Sequence, residues 1–110
     1  MKLPNWERAY IPSEKLHNYL LSETHPVGRL KARFLNSVGF DSNNIEALEQ
    51  GLLEIAHTQE IAQEIPGGFG VKYVLSGSIQ TPTHNILQLT TVWIIETEQE
   101  NPRFITAYPQ

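Results

Sequence analysis

Apolar positions along this chain keep a helical period in its first half and a strand period in its second. Val27, Leu30, Phe34 and Val38 fall within about 80° of one another at about 100° per residue, a stripe that faces a core. Pro26 suits the first turn of that helix, so His25 falls at or near its N-cap, and Gly39 supplies the usual left-handed stop after Ser37. A shorter helix precedes it over 13–21, with Ser13 in capping position and Leu16, Tyr19 and Leu20 turned inward. A longer one follows, starting in Asp41-Ser42-Asn43-Asn44, where Asn43 and Glu46 have capping-box spacing, and running to about Gln63. Ile45, Leu48, Leu52, Ile55, Ala56 and Gln59 line its inner side, and Gly51 weakens its middle by about 1 kcal/mol relative to alanine. Residues 1–12, held between Pro4 and Pro12, read as an extended lead-in anchored by Ala9-Tyr10-Ile11.

Ile65-Pro66-Gly67-Gly68 closes the helical half and reads as a flexible turn. Beyond it the period drops to two, with strands over 70–79, 86–97 and 103–108 separated by the turns Thr81–Asn85 and Thr97–Asn101. The strand over 86–97 is apolar on both sides near its end, which predicts a central place in the sheet. The pattern specifies an α+β domain in which three N-terminal helices are followed by a three- to four-stranded antiparallel β-meander, with residues 1–110 forming a single domain.

Composition narrows the chemistry. Without cysteine there is no disulfide framework and no thiolate metal site, and the chain suits a reducing cytoplasm. The longest apolar run is Val92-Trp93-Ile94-Ile95, which predicts neither a signal peptide nor a spanning helix and hence no membrane partner. The glycines after Pro66 lack dinucleotide or P-loop spacing, and no paired-carboxylate or His/Asp ligand spacing occurs, so neither metal nor cofactor is expected. The net charge of −4 is a poor match to a polyanion, so any nucleic-acid binding has to rest on a local cluster.

Two readings of Lys31 stay open. It lies inside the apolar stripe of the His25 helix, while Arg29 and Arg33 project from the opposite side. Either its stem snorkels to a rim or a carboxylate, or its ammonium joins His25 in a cleft, where a cation and a titratable imidazole act together on an anion. His57 and His84 carry no such company, and His84 falls in a turn open to solvent.

Four stretches share a pattern: His25-Pro26-x-Gly28-x-x-Lys31-Ala32-x-Phe34, Lys72-Tyr73, Thr91-Val92-Trp93-Ile94 and Pro102-Arg103-x-x-Thr106-Ala107-Tyr108-Pro109. Together they resemble a bacterial family described as a domain of unknown function, which occurs as small stand-alone proteins and as the C-terminal piece of toxin-like proteins. Its layout is similar to the ribonuclease fold of barnase, EndoU, the tRNA-cutting colicins and RelE. The resemblance implies a toxin-like domain acting as a metal-independent endoribonuclease, with His25, Lys31, Thr91, Thr106 and Tyr108 as catalytic positions. Lys72 and Arg103 would then bind RNA, and a small antitoxin or immunity protein would be the partner. Thr91, Thr106 and Tyr108 share parity within their strands, so a single face is open to them, although Trp93 has the parity of Thr91 and suits a core. The competing expectation is a non-catalytic module that docks a small partner protein through an acidic third helix and an open edge strand.

Overall fold

A computed structural model describes residues 1–16 and 28–109, with the side chains of the second segment described from Ala32 onward. The elements are a 3₁₀ turn at Trp6–Arg8, helices α1 (Ser13–Lys15), α2 (Gly28–Ser37) and α3 (Ile45–Thr58), and strands β1 (Gln63–Gly67), β2 (Gly70–Gln80), β3 (Ile86–Glu96) and β4 (Arg103–Pro109). The strands form one antiparallel sheet in the order β1-β2-β3-β4, so the α+β class and the meander hold. Most of the helix expected over 13–21, and the start of the one expected from His25, lie outside the described residues.

The third helix ends at Thr58, short of the expected Gln63, and β1 takes Gln63–Gly67, including most of the stretch Ile65-Pro66-Gly67-Gly68 expected as a flexible turn. Pro66 is tolerated there because β1 is an edge strand, where a missing N–H breaks no ladder on the outer side. Gly68-Phe69 forms the two-residue hairpin loop to β2. Gly70 closes that hairpin at φ +147, and a Cβ added to it would sit 2.4 Å from the Ile95 carbonyl oxygen, so only glycine fits. The expected capping box is also replaced: Asn44 occupies the N-cap of α3 without a side-chain cap. Its amide instead turns back, donating to the Gly39 carbonyl at 2.8 Å and accepting the Asp41 N–H at 2.8 Å.

The core lies between α3 and one face of the sheet. Leu48, Leu52, Ile55 and Ala56 of α3 are buried, and each of the larger three contributes about 1.5–3 kcal/mol by leaving water. Gly51 acquires a reason to be glycine, since a Cβ there would meet Ile79 Cγ2 at 2.9 Å. Gly77 on the facing strand is matched to it, its would-be Cβ lying 3.0 Å from Ile55 Cγ1. This pair lets helix and sheet approach closely enough to bury Leu75, Trp93 and Phe104 completely, the last two in an edge-to-face contact at 5.3 Å. The lead-in is tied down at both ends: Lys2 Nζ donates to the His57 carbonyl at 3.0 Å, and Tyr10 exchanges backbone hydrogen bonds with Pro102 and Phe104 beside β4.

Candidate functional site

Strand pairing decides which side chains share a face. Leu75 pairs with Thr91 and Tyr73 with Trp93, so these residues point to the α3 side, where Leu75, Thr91 and Trp93 are fully buried. Their alternates, Lys72, Val74 and Ser76 on β2 and Thr90, Val92 and Ile94 on β3, take the second face. β4 follows with one irregularity. Thr106 pairs with Val92 but Phe104 pairs with Trp93, so a bulge at Ile105 puts Arg103, Thr106 and Tyr108 together on the second face.

The residues expected from the sequence divide accordingly. Thr91 is on the core side, opposite to Thr106 and Tyr108, so the three do not meet on a single face. Its hydroxyl donates to the Leu75 carbonyl at 2.8 Å and accepts the Trp93 indole N–H at 2.9 Å, which satisfies the one polar atom of a buried tryptophan. Thr106 is half-buried and Tyr108 is 43% exposed, next to Thr90 across the strands. Lys72 and Arg103 flank Ile94 in one row across the sheet, two strand spacings or roughly 10 Å apart. Arg103 is engaged, with Nε and Nη2 each 2.7 Å from Glu96 Oε1. Lys72 is exposed and has no ion pair or hydrogen bond among the described residues, so its charge remains the accessible one of the two. His25 lies outside the described residues; Lys31 belongs to α2 by its backbone, and its side chain also lies outside them.

Two residues of this face escaped the sequence reading. Ser76 and Thr90 hydrogen-bond across β2 and β3 at 3.1 Å, in the same row as Tyr108 and four residues along β2 from Lys72. Parity alone groups Ser76 with Lys72, and Thr90 with Ile94, but only the register makes the two hydroxyls neighbours. At the hairpin end, Ile65, Phe69, Lys72 and Ile94 line a shallow cavity of about 160 Å³ with the loop glycines. On the core side, burial pushes the Tyr73 phenol above its ordinary pKa, helped by the adjacent Glu64 carboxylate. His57 packs against Trp6 with ring centroids 5.4 Å apart, and His84 is exposed in the β2–β3 turn at φ 66. Among the described residues no three His, Asp or Glu side chains cluster as metal ligands, and no helix is long and apolar enough to cross a membrane.

A family model described as a domain of unknown function, DUF6883, matches residues 2–110. A search of curated proteins gives no match. Among solved structures, a chain of the contact-dependent growth inhibition toxin–immunity protein complex from Klebsiella pneumoniae 342 is similar, with a TM-score of 0.68 and 16% identity over 96% of each chain. At that identity the likeness is one of fold.

Proposed function

We propose that this chain, which belongs to the DUF6883 family, is a metal-independent endoribonuclease toxin held in check by a small protein partner. The observation that supports it is a fold shared over 96% of both chains with a member of a toxin–immunity complex, together with a sheet face carrying Lys72, Thr106 and Tyr108. An RNA substrate would put that action in the cytoplasm.

The chemistry needs a base, a charge stabiliser and an acid. A base takes the proton from a ribose 2′-OH, the 2′-oxygen attacks the adjacent phosphorus, and the bond to the 5′-oxygen breaks as an acid protonates it, leaving a 2′,3′-cyclic phosphate. His25 is proposed as base or acid and Lys31 as the cation that offsets charge on the phosphorane. Tyr108 donates a hydrogen bond or stacks on a base, with Thr106 beside it on β4. Lys72 holds a phosphate, while Arg103 contributes less because Glu96 offsets its charge.

The test is cleavage of total RNA by the purified protein with and without EDTA, alongside growth of a host expressing wild type, His25→Ala or Lys31→Ala. Cleavage that survives EDTA, falls as pH drops below about 6.5 and disappears in His25→Ala is expected. Intact RNA and equally harmless expression of all three would end the ribonuclease reading.

One observation favours a second reading, a non-catalytic module that binds a small protein. All five residues of edge strand β1 are exposed, and Phe69 at the hairpin tip is 88% exposed. Under the first reading the partner is expected over Lys31, Lys72 and Arg103, and under the second over the acidic third helix and the β1 edge. An affinity unchanged in Lys72→Ala and Arg103→Ala at low and high salt would put it elsewhere.

A further inference from the structure

The charges of the second sheet face are few and its hydroxyls are many, which suits one form of RNA better than another. Proteins that hold duplexes by shape do so through many phosphates, and a duplex offers no open base face to stack on. Here the chain carries a net charge of −4, Glu96 neutralises Arg103, and Lys72 remains as the accessible cation of that row. Tyr108 presents an aromatic ring at 43% exposure, and the Ser76–Thr90 hydroxyl pair, 3.1 Å apart, joins its row to β2, the strand that carries Lys72. Lys72 and Ser76 are separated by four residues of β2, roughly 13 Å, a span that calls for an extended strand of nucleotides and not for a single mononucleotide.

Resting on the ribonuclease reading above, we infer that the substrate is single-stranded RNA laid across β2, β3 and β4. One base stacks on Tyr108, the sugar–phosphate backbone meets the half-buried Ser76, whose hydroxyl is held by the buried Thr90, and a phosphate on Lys72 supplies most of the charge contact. Positive Lys72 against a phosphate is the charge complementarity of the site, and stacking supplies the preference for unpaired bases.

Binding can be separated from cleavage with fluorescein-labelled 2′-fluoro hexanucleotides, which have no 2′-OH to attack, compared with a 2′-fluoro hairpin duplex by fluorescence anisotropy. The single strand should bind at least about tenfold tighter than the duplex, an expectation from stacking energies of individual bases. Its affinity should fall with salt at a log–log slope of about −0.7 to −1.4, one or two phosphates, and Lys72→Met should lower that slope by about 0.7. Tyr108→Ser should weaken binding between about fivefold and 150-fold while Tyr108→Phe keeps it, with thermal unfolding confirming that each variant is folded. Equal or tighter duplex binding, a slope steeper than about −3, no effect of Lys72→Met, or no saturable binding of either oligonucleotide overturns the inference. Cleavage of unmodified RNA is scored in parallel: cleavage with duplex preference sinks this inference alone, and no cleavage sinks the ribonuclease reading instead.

Discussion

The two faces of β2 and β3 are made by neighbouring residues of the same strands, yet they obey different rules. On the α3 side, Leu75, Thr91 and Trp93 are fully buried, and the polar atoms of Thr91 and Trp93 are spent on each other and on the Leu75 carbonyl. On the other side, Lys72 is exposed, Ser76 is half-buried, and the Ser76–Thr90 pair joins two hydroxyls with spare hydrogen-bonding capacity. A pleated strand thus separates the packed side from the side that bears Lys72 and Tyr108 by one residue step. Threonine shows the difference most clearly: Thr91 serves the indole beneath it, while Thr90, one position earlier, lies beside Tyr108.

Substitutions can break or sharpen that contrast. The largest effect is expected on the core face, where Trp93→Ala should cost about 3–5 kcal/mol in urea unfolding, enough to leave a domain of this size marginal. Thr91→Val should cost about 1–3 kcal/mol, because the buried indole N–H loses its acceptor. A loss of RNA cleavage by this variant at temperatures where it stays folded would return Thr91 to the site. Lys72→Ala, on the other face, should stay within about 0.5 kcal/mol of wild type in stability while weakening RNA cleavage and host toxicity. A stability cost as large as that of Thr91→Val would show that Lys72 is structural.

The smallest effect is spectroscopic. Tyr73 should ionise above the ordinary tyrosine range in an ultraviolet titration, and Tyr73→Phe should remove that late phase. Because its pKa is raised in the folded state, the associated stability is present below the ordinary tyrosine pKa of about 10 and is lost as pH rises through the raised value. A titration that Tyr73→Phe leaves without loss of a late phase would contradict the packing of Tyr73 against Glu64.

Most of this architecture was legible in the sequence, for reasons that also explain what was not. Strands β2, β3 and β4 declare themselves because alternating apolar residues need a half-buried sheet, and their bounds differ from expectation by a residue or so. β1 hid because Gln63–Gly67 holds Ile65 as its one large aliphatic residue, beside a proline and a glycine; its strand state comes from the hairpin with β2 and not from its own propensity. The shared motif residues were visible as types, but their faces were not. Parity suggested that Thr91, Thr106 and Tyr108 could converge, whereas cross-strand register, a tertiary property, sends Thr91 to the core and brings Ser76 to Thr90.

The bulge at Ile105 gives β4 one residue more than its pairing with β3 needs. Arg103 and Thr106 are three residues apart, an odd step, and reach the same face only because the strand carries one surplus residue. Removing Ile105 would restore a regular ladder in which Arg103, Thr106 and Tyr108 keep the second face and Phe104 and Ala107 keep the packed one. Loss of that one residue is therefore expected to leave the domain folded, whereas losing a second residue between Arg103 and Thr106 would turn half of the strand over. A deletion library of β4 scored for folding would expose this as tolerated loss of Ile105 against rejected loss of Phe104 and Ile105 together.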